Sequence, residues 1–278
     1  AYADVLDYRS AISTARTRAN VAAAGLDVAV GSAGTIASEL IAALGVGDAT
    51  IVDQTANVAR RELDSVFAGL GVNVGGRYIF SGADVSTPPL ASADTLIADV
   101  QAIALAATSA AEFQTNLDLY FDDPAGGFAT NIYLGSLNDA STVEITEGER
   151  INVQPRADDP ALKSMMKQLA AISVKDALAG LGATEQAAAL QTAAEGLVGA
   201  EEQVIQLRAD LGFQQERLDF MSTRNESEET AIFESLQAIV GVDEFEAATR
   251  LEVTENVLNI AFEATARLSQ LSLVNYIR

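Results

Sequence analysis

Four adjacent carboxylate pairs are the residues of this chain best equipped for chemistry: Asp122-Asp123, Asp158-Asp159, Glu201-Glu202 and Glu228-Glu229. Two carboxyls in different surroundings can divide acid and base roles between them. That work needs both to face one reacting atom, and neighbours in sequence on a helix do not face each other. Asp159 precedes Pro160 and reads as a helix cap, with proline at the first helical position. Asp122-Asp123 opens the loop that continues through Pro124-Ala125-Gly126-Gly127. No Gly-x-Ser-x-Gly elbow marks a serine nucleophile. The glycine groups at 45–47, 69–76 and 126–127 fit no phosphate-binding pattern. The carboxylates are therefore read as structural, and no catalytic residue, cofactor or metal site is expected.

Composition narrows the classes further. The 278 residues contain neither cysteine nor histidine, which removes disulfides, thiolate nucleophiles and His/Cys metal clusters. Acidic residues number 39, lysines are confined to Lys163, Lys167 and Lys175, and the net charge is −22. Such a surface repels phosphate backbones and anionic headgroups, so neither nucleic acid nor peripheral membrane binding is expected. Apolar residues make up 49% but aromatics only 6%, with no tryptophan. Alanine-rich chains of this kind form helices readily and bury thin layers between closely packed helices. No run of 18 apolar residues occurs, so no membrane-spanning helix is expected. The chain opens at Ala1 inside a helical pattern, and a further helical segment upstream is expected.

The elements follow from periodicity. Ile12, Ala15, Ala19, Ala22, Leu26, Ala29, Ala33, Ile36, Leu40 and Ala43 recur at alternating spacings of three and four, the seam of a coiled-coil helix. Gly25, Gly31 and Gly34 interrupt this helix, and a kink is expected near Gly31–Gly34. Gly45-Val46-Gly47 reads as a turn, and Asp48 as the cap of a second helix over 49–70. Glycines at 69, 71, 75 and 76 end it and release the chain into Arg77-Tyr78-Ile79-Phe80, a strand with Tyr78 and Phe80 on one face and Ile79 on the other.

Residues 83–157 differ in character. A helical stretch is expected over 93–119, interrupted near Ser109, and short strands over 130–134, 142–146 and 150–154. Helix returns at Pro160 and runs to about Leu178. A long helix over 184–240 follows, roughly 85 Å if unbroken. Its seam takes in Val204, Leu207, Leu211, Leu218, Met221, Ile232 and Ile239, with polar Asn225 and Glu228 in the same register. After a break at Gly241 and a cap at Asp243, residues 244–276 carry a second heptad: Leu251, Thr254, Leu258, Ala261, Thr265, Leu268 and Ser272, with Val257, Ala264 and Leu271 beside it. This stripe needs a partner helix, so Leu251, Leu258, Ala261, Leu268 and Leu271 are the expected assembly interface.

The fold expected is mainly α: an elongated antiparallel helical bundle or coiled coil built from the N- and C-terminal segments, with a small α+β insert. Its parts are 1–76 and 158–243 for the bundle, 77–157 for the insert and 244–278 for a terminal assembly helix. Within this frame Gly76, Arg77, Tyr78, Phe80 and Gly82 are expected to join insert to bundle.

Particular segments also carry a family resemblance. Asn73–Gly82, reading Asn-Val-Gly-Gly-Arg-Tyr-Ile-Phe-Ser-Gly, resembles the NGRYIFSG segment of the flagellin superfamily's hook–filament junction type, with Gly75 in place of the family's asparagine. Ile239–Leu251 resembles the flagellin C-terminal segment that breaks before the final helix. Leu268–Ile277 is similar to the closing residues of the junction type, whereas Arg278 echoes the filament flagellins. The resemblance implies a non-enzymatic flagellar subunit, exported unfolded through the type III apparatus without signal cleavage and located outside the cell. It implies partners too: copies of itself in a ring, the first hook-associated protein, flagellin and an export chaperone. A filament flagellin and a secreted helical adhesin are the alternatives.

Overall fold

The structure, a computed structural model, describes residues 2–31, 33–240 and 244–276, with side chains described for all of these except 240, 244 and 271–276. The expected break at Gly241 and cap at Asp243 lie outside the described residues. The chain divides into a unit over residues 3–226 and a second that begins at Ser227.

The first unit starts with the heptad helix, broken in two. Helix α1 (Tyr2–Val30) stops at Gly31, whose φ of +34° leaves the helical region, and α2 (Ala33–Val46) resumes. A Cβ on Gly31 would meet the Glu62 carboxylate, so glycine also makes room for the neighbouring helix. All ten seam residues from Ile12 to Ala43 are buried. Gly45 and Val46 remain helical, and the turn reduces to Gly47 at φ +70°. Asp48 then caps α3 (Ala49–Leu70), accepting from the backbone N–H groups of Thr50 and Ile51 at 3.0 and 3.2 Å.

By length and mean hydropathy (1.5 over an 18-residue window), Tyr2–Val46 could cross a bilayer, contrary to expectation. Alanine raises that mean without forming an uninterrupted run of large side chains. The stretch breaks at Gly31, and one face of it supplies core to this unit.

The long helix α8 (Ala183–Val240) lies against α1. Four contacts fix the direction: Arg208 with Asp27, Gln215 with Asn20, Arg16 with Asp219 and Asn225 with Val5. The α8 partner number rises as the α1 number falls, so the helices are antiparallel. Asn225 is 7% exposed and its Nδ2 donates to the Val5 carbonyl at 2.9 Å, so this polar seam position is a bond across the helix pair. Helix α6 (Pro160–Ser173) packs on α3, and α7 (Lys175–Leu178) with a 3-10 turn at Ala179–Leu181 leads into α8. Asp159 caps α6 through the Ala161 N–H at 2.9 Å, with Pro160 in the first turn.

Between α3 and α6 come a hairpin of β1 (Asn73–Val74) and β2 (Arg77–Tyr78), then helices α4 (Ala93–Ala106) and α5 (Ala110–Asp122). Ser92 and Ser109 cap these two helices, which makes Ser109 the interruption expected from the sequence. A second hairpin pairs β3 (Val143–Thr146) with β4 (Glu149–Ile151) around Gly148, at φ +73°.

Two local expectations fail. Residues 128–132 form a π-helical turn, not a strand; only Tyr133 bridges, to Leu90. Phe128 and Ile132 are one helical turn apart and both fully buried, with the Phe128 ring stacked on Phe121 at 5.3 Å. Core packing of one helical face overrides the strand preference of Thr130, Ile132 and Tyr133. The Arg77–Phe80 strand also ends after Tyr78, so side-chain alternation stops: Ile79 and Phe80 are both buried and Tyr78 is half-buried.

The second unit is helical from Ser227 to the end of α8 and again over α9 (Glu244–Tyr276). Ile232 is half-buried, and the unit's other described large apolar side chains, from Phe233 and Leu236 through Leu268, are exposed.

Candidate assembly interface

Helix α9 carries a 33-residue run with no proline or glycine to break it. At about 100° per residue, Leu251, Thr254, Leu258, Ala261, Thr265 and Leu268 share one sector roughly 100° wide. Val257 and Ala264 widen it, while Glu252, Asn259 and Glu263 occupy the opposite side. Leu251 is 62% exposed, Leu258 55% and Leu268 67%, and Ala261 is exposed as well. The Leu271 side chain lies outside the described residues. Burying three leucines against a partner would contribute about 5–9 kcal/mol before the cost of association. An apolar stripe of this length and spacing is the surface that a coiled-coil partner covers.

The second predicted set, Gly76 to Gly82, sits in the first unit and is held from several sides. Gly75 and Gly76 form a two-residue turn with φ of +60° and +82°, which only residues tolerant of positive φ can make, and Asn73 Oδ1 accepts from the Gly76 N–H at 2.9 Å. Arg77 stands exposed just beyond it. Phe80 lies fully buried against Gly25 of α1, where an added Cβ would come within 2.8 Å of the ring. Around the motif, the backbone bonds to segments distant in sequence. Tyr78 N–H reaches Val85 O at 2.8 Å, Ser136 N–H reaches Ser81 O at 2.9 Å, and Ala157 N–H reaches Phe80 O at 2.9 Å. Gly82, at φ +63°, would carry a Cβ within 2.5 Å of the carbonyls of Ser136 and Asn138. The motif thus brings α1, the 83–91 loop, the 136–138 loop and the start of α6 to one place.

Residues 195–277, covering most of α8 and α9, match the family model of the bacterial flagellin C-terminal helical region. Over these residues the chain is similar to the flagellin C-terminal helices. Two solved structures share its fold. One is described as a putative flagellar hook-associated protein from Vibrio parahaemolyticus: TM-score 0.57, 12% identity, covering 84% of this chain and 90% of that one. The other is Bacillus cereus FlgL: TM-score 0.58, 15% identity, covering 82% of this chain and 93% of that one. No curated protein matches in sequence.

Of the candidate acid–base residues, the four aspartates are engaged in ion pairs and hydrogen bonds. Asp122 pairs with Lys167 at 3.1 Å, Asp123 accepts from the Ala125 N–H at 2.8 Å, and Asp158 pairs with Arg156 at 2.7 Å. Burial pushes the Asp159 carboxyl above its usual range, against the Ala161 hydrogen bond that favours the charged form. Ser164-Met165-Met166-Lys167 has the Ser-x-x-Lys spacing of a serine–lysine dyad. Burial acts to lower the Lys167 pKa, but bonds to Asp118 and Asp122 outweigh it and hold the ammonium protonated, so it is no base.

Sequence reasoning undervalued two glycines. Gly25 read as an interruption of its helix and Gly69 as part of a helix end, yet both are contact points: Gly25 receives Phe80, and a Cβ on Gly69 would press on Val28 at 3.2 Å. Glycine at such spacing in an alanine-rich heptad is the available signal, because it permits closer helix approach than alanine does.

Proposed function

We propose that this chain is a structural subunit of the bacterial flagellum, and within it the subunit that joins hook to filament. The α9 stripe carries the reading: Leu251, Leu258 and Leu268 stand exposed at heptad spacing within the region that matches the flagellin C-terminal helices. A role in packing, not catalysis, fits carboxylates and lysines that are spent on caps and ion pairs. The likeness of fold to hook-associated proteins supports the junction over other flagellar positions. In this reading the chain is exported by the type III apparatus with a chaperone, and it forms a ring outside the cell between the first hook-associated protein and flagellin. The Gly76–Gly82 segment serves as the junction between insert and helices.

One observation favours a second reading, the filament flagellin: the matching family model is that of flagellin itself. Addition of the purified chain to isolated hook ends separates the two. A junction subunit adds a limited ring and then accepts flagellin, whereas long homopolymers would assign the chain to the filament. Leu258→Asp places a charge on the stripe and is expected to abolish addition, with the melting of the 3–226 unit unchanged. Unimpaired addition by that variant would remove α9 as the interface.

A further inference from the structure

Helix α8 carries apolar residues on two opposite sides. Val204, Leu211, Leu218 and Met221 are buried in the 3–226 unit. Val198, Ile205, Phe213 and Phe220 fall within a sector of about 80° on the far side. All four are exposed, from 40% at Val198 to 67% at Phe213. At one end of this outer stripe the Arg217 guanidinium lies 5.9 Å from the centre of the Phe220 ring and pairs with Glu149 at 2.7 Å. The four side chains leave roughly 400 Å² of apolar surface open per copy, the size of a functional patch and about half of what a standard interface takes from each partner.

Spacing names the occupant. The intervals between the four residues are seven, eight and seven, the same from either end, and Ala209 stands at the centre. Two such helices laid antiparallel about a two-fold axis at Ala209 match apolar to apolar. Val198 then meets the partner's Phe220, Ile205 meets the partner's Phe213, and the small Ala209 lets the helices approach closely. Charge selects this direction over a parallel one. Antiparallel, Arg217 falls beside the partner's Glu202 and Arg224 beside the partner's Glu195, on the same flank of the stripe. A parallel pair would set each stripe glutamate against its own copy and leave those arginines away from Glu202 and Glu195. One layer opposes the antiparallel pair, since Glu202 comes opposite the partner's Glu216 and like charges there weaken it.

We propose that the outer face of α8 is a homodimer interface, in which two copies pair antiparallel about Ala209 and cover Val198, Ile205, Phe213 and Phe220. The limited area makes the dimer weak and concentration-dependent. Copies in a ring share one direction, so this antiparallel pair is a state of the unassembled chain, and it does not rest on the assembly reading above.

The test uses the full chain at about 0.15 M salt, where repulsion between two chains of charge −22 is screened beyond about 8 Å. Sedimentation velocity should show a reversible dimer that Phe213→Asp and Ile205→Asp each weaken by about tenfold or more, with the melting of the 3–226 unit unchanged. The chain has no cysteine, so oxidative cross-linking of introduced ones reads the register directly. Ala209→Cys should link to itself, and Glu202→Cys should link to Glu216→Cys in a mixture. Glu202→Cys alone should not link, because its two copies would stand about 21 Å apart along the helices. Glu216→Gln should tighten the dimer by relieving the like-charge layer. Linking of Ala209→Cys no faster than that of Leu105→Cys, an exposed site on α4, overturns the interface, as does self-linking of Glu202→Cys. A dimer that survives both Phe213→Asp and Ile205→Asp overturns it too. Loss of the Ala209→Cys link on adding Leu258→Asp would show that association belongs to α9, and would also overturn it.

Discussion

Gly25→Ala is the substitution for which local propensity and tertiary packing disagree most clearly. Alanine in a helix interior is favoured over glycine by about 0.8–1 kcal/mol, so on a free helix the change would stabilise. At Gly25 the new Cβ would stand 2.8 Å from Cε2 and Cζ of Phe80 and 3.0 Å from the Gly69 carbonyl oxygen. Phe80 is fully buried, so its ring cannot swing into solvent. Overpacking of this kind costs about 1–3 kcal/mol, which offsets the propensity gain and leaves a net loss of up to about 2 kcal/mol. Gly199 in α8 is the control, because nothing lies within 4 Å of its would-be Cβ. Urea unfolding of the full chain, following the 3–226 unit, should place Gly25→Ala below the parent and Gly199→Ala above it by up to about 1 kcal/mol. Combining Gly25→Ala with Phe80→Leu should return part of the loss, a coupling of about 1 kcal/mol or more. If Gly25→Ala stabilises as Gly199→Ala does, or shows no coupling to position 80, the close approach of α1 to Phe80 is wrong.

Gly82→Ala combines a left-handed φ with contacts of 2.5 Å to two carbonyls, so a loss of about 2–4 kcal/mol is expected, with faster hydrogen exchange over residues 136–138. Asn225→Ala removes the bond to the Val5 carbonyl; a loss of about 1–2 kcal/mol and faster exchange in the first turns of α1 should follow. Burial raises the Asp159 pKa, so the folded chain holds that proton more tightly than the unfolded chain does. The associated stability is present at low pH and is lost as pH rises through the folded pKa. Asp159→Asn keeps a cap acceptor and removes the penalty, so its melting point relative to the parent should be higher at neutral pH than below about pH 4. A difference that does not change with pH would contradict the buried carboxyl.

Helix positions were legible wherever spacing alone decides them. The ten-residue seam from Ile12 to Ala43 is buried throughout, and Asp48, Ser109 and Asp159 cap the helices they precede. Caps are local: a side-chain oxygen needs only the next two or three backbone N–H groups. The failures came where packing decides. Thr130–Leu134 has strand-forming side chains, but Phe128 and Ile132 are both buried one helical turn apart, with the Phe128 ring stacked on Phe121, and the strand preference of the segment does not reveal that demand. Alternation in Arg77–Phe80 failed for the same reason, since both Ile79 and Phe80 find core.

For the candidate interfaces the division is similar. The α9 stripe is a property of sequence, because a helix with apolar residues every three to four positions presents them on one side whatever surrounds it. That these leucines are left exposed while the equally regular α1 seam is buried could be decided only in three dimensions. Spacing states which residues share a face, whereas burial depends on what packs against that face. The Gly76–Gly82 motif divides in the same way. Its turn is written in Gly75-Gly76, since positive φ is a local demand that glycine meets. The seat of Phe80 on Gly25 arises from chain segments tens of residues apart, which only the tertiary structure brings together.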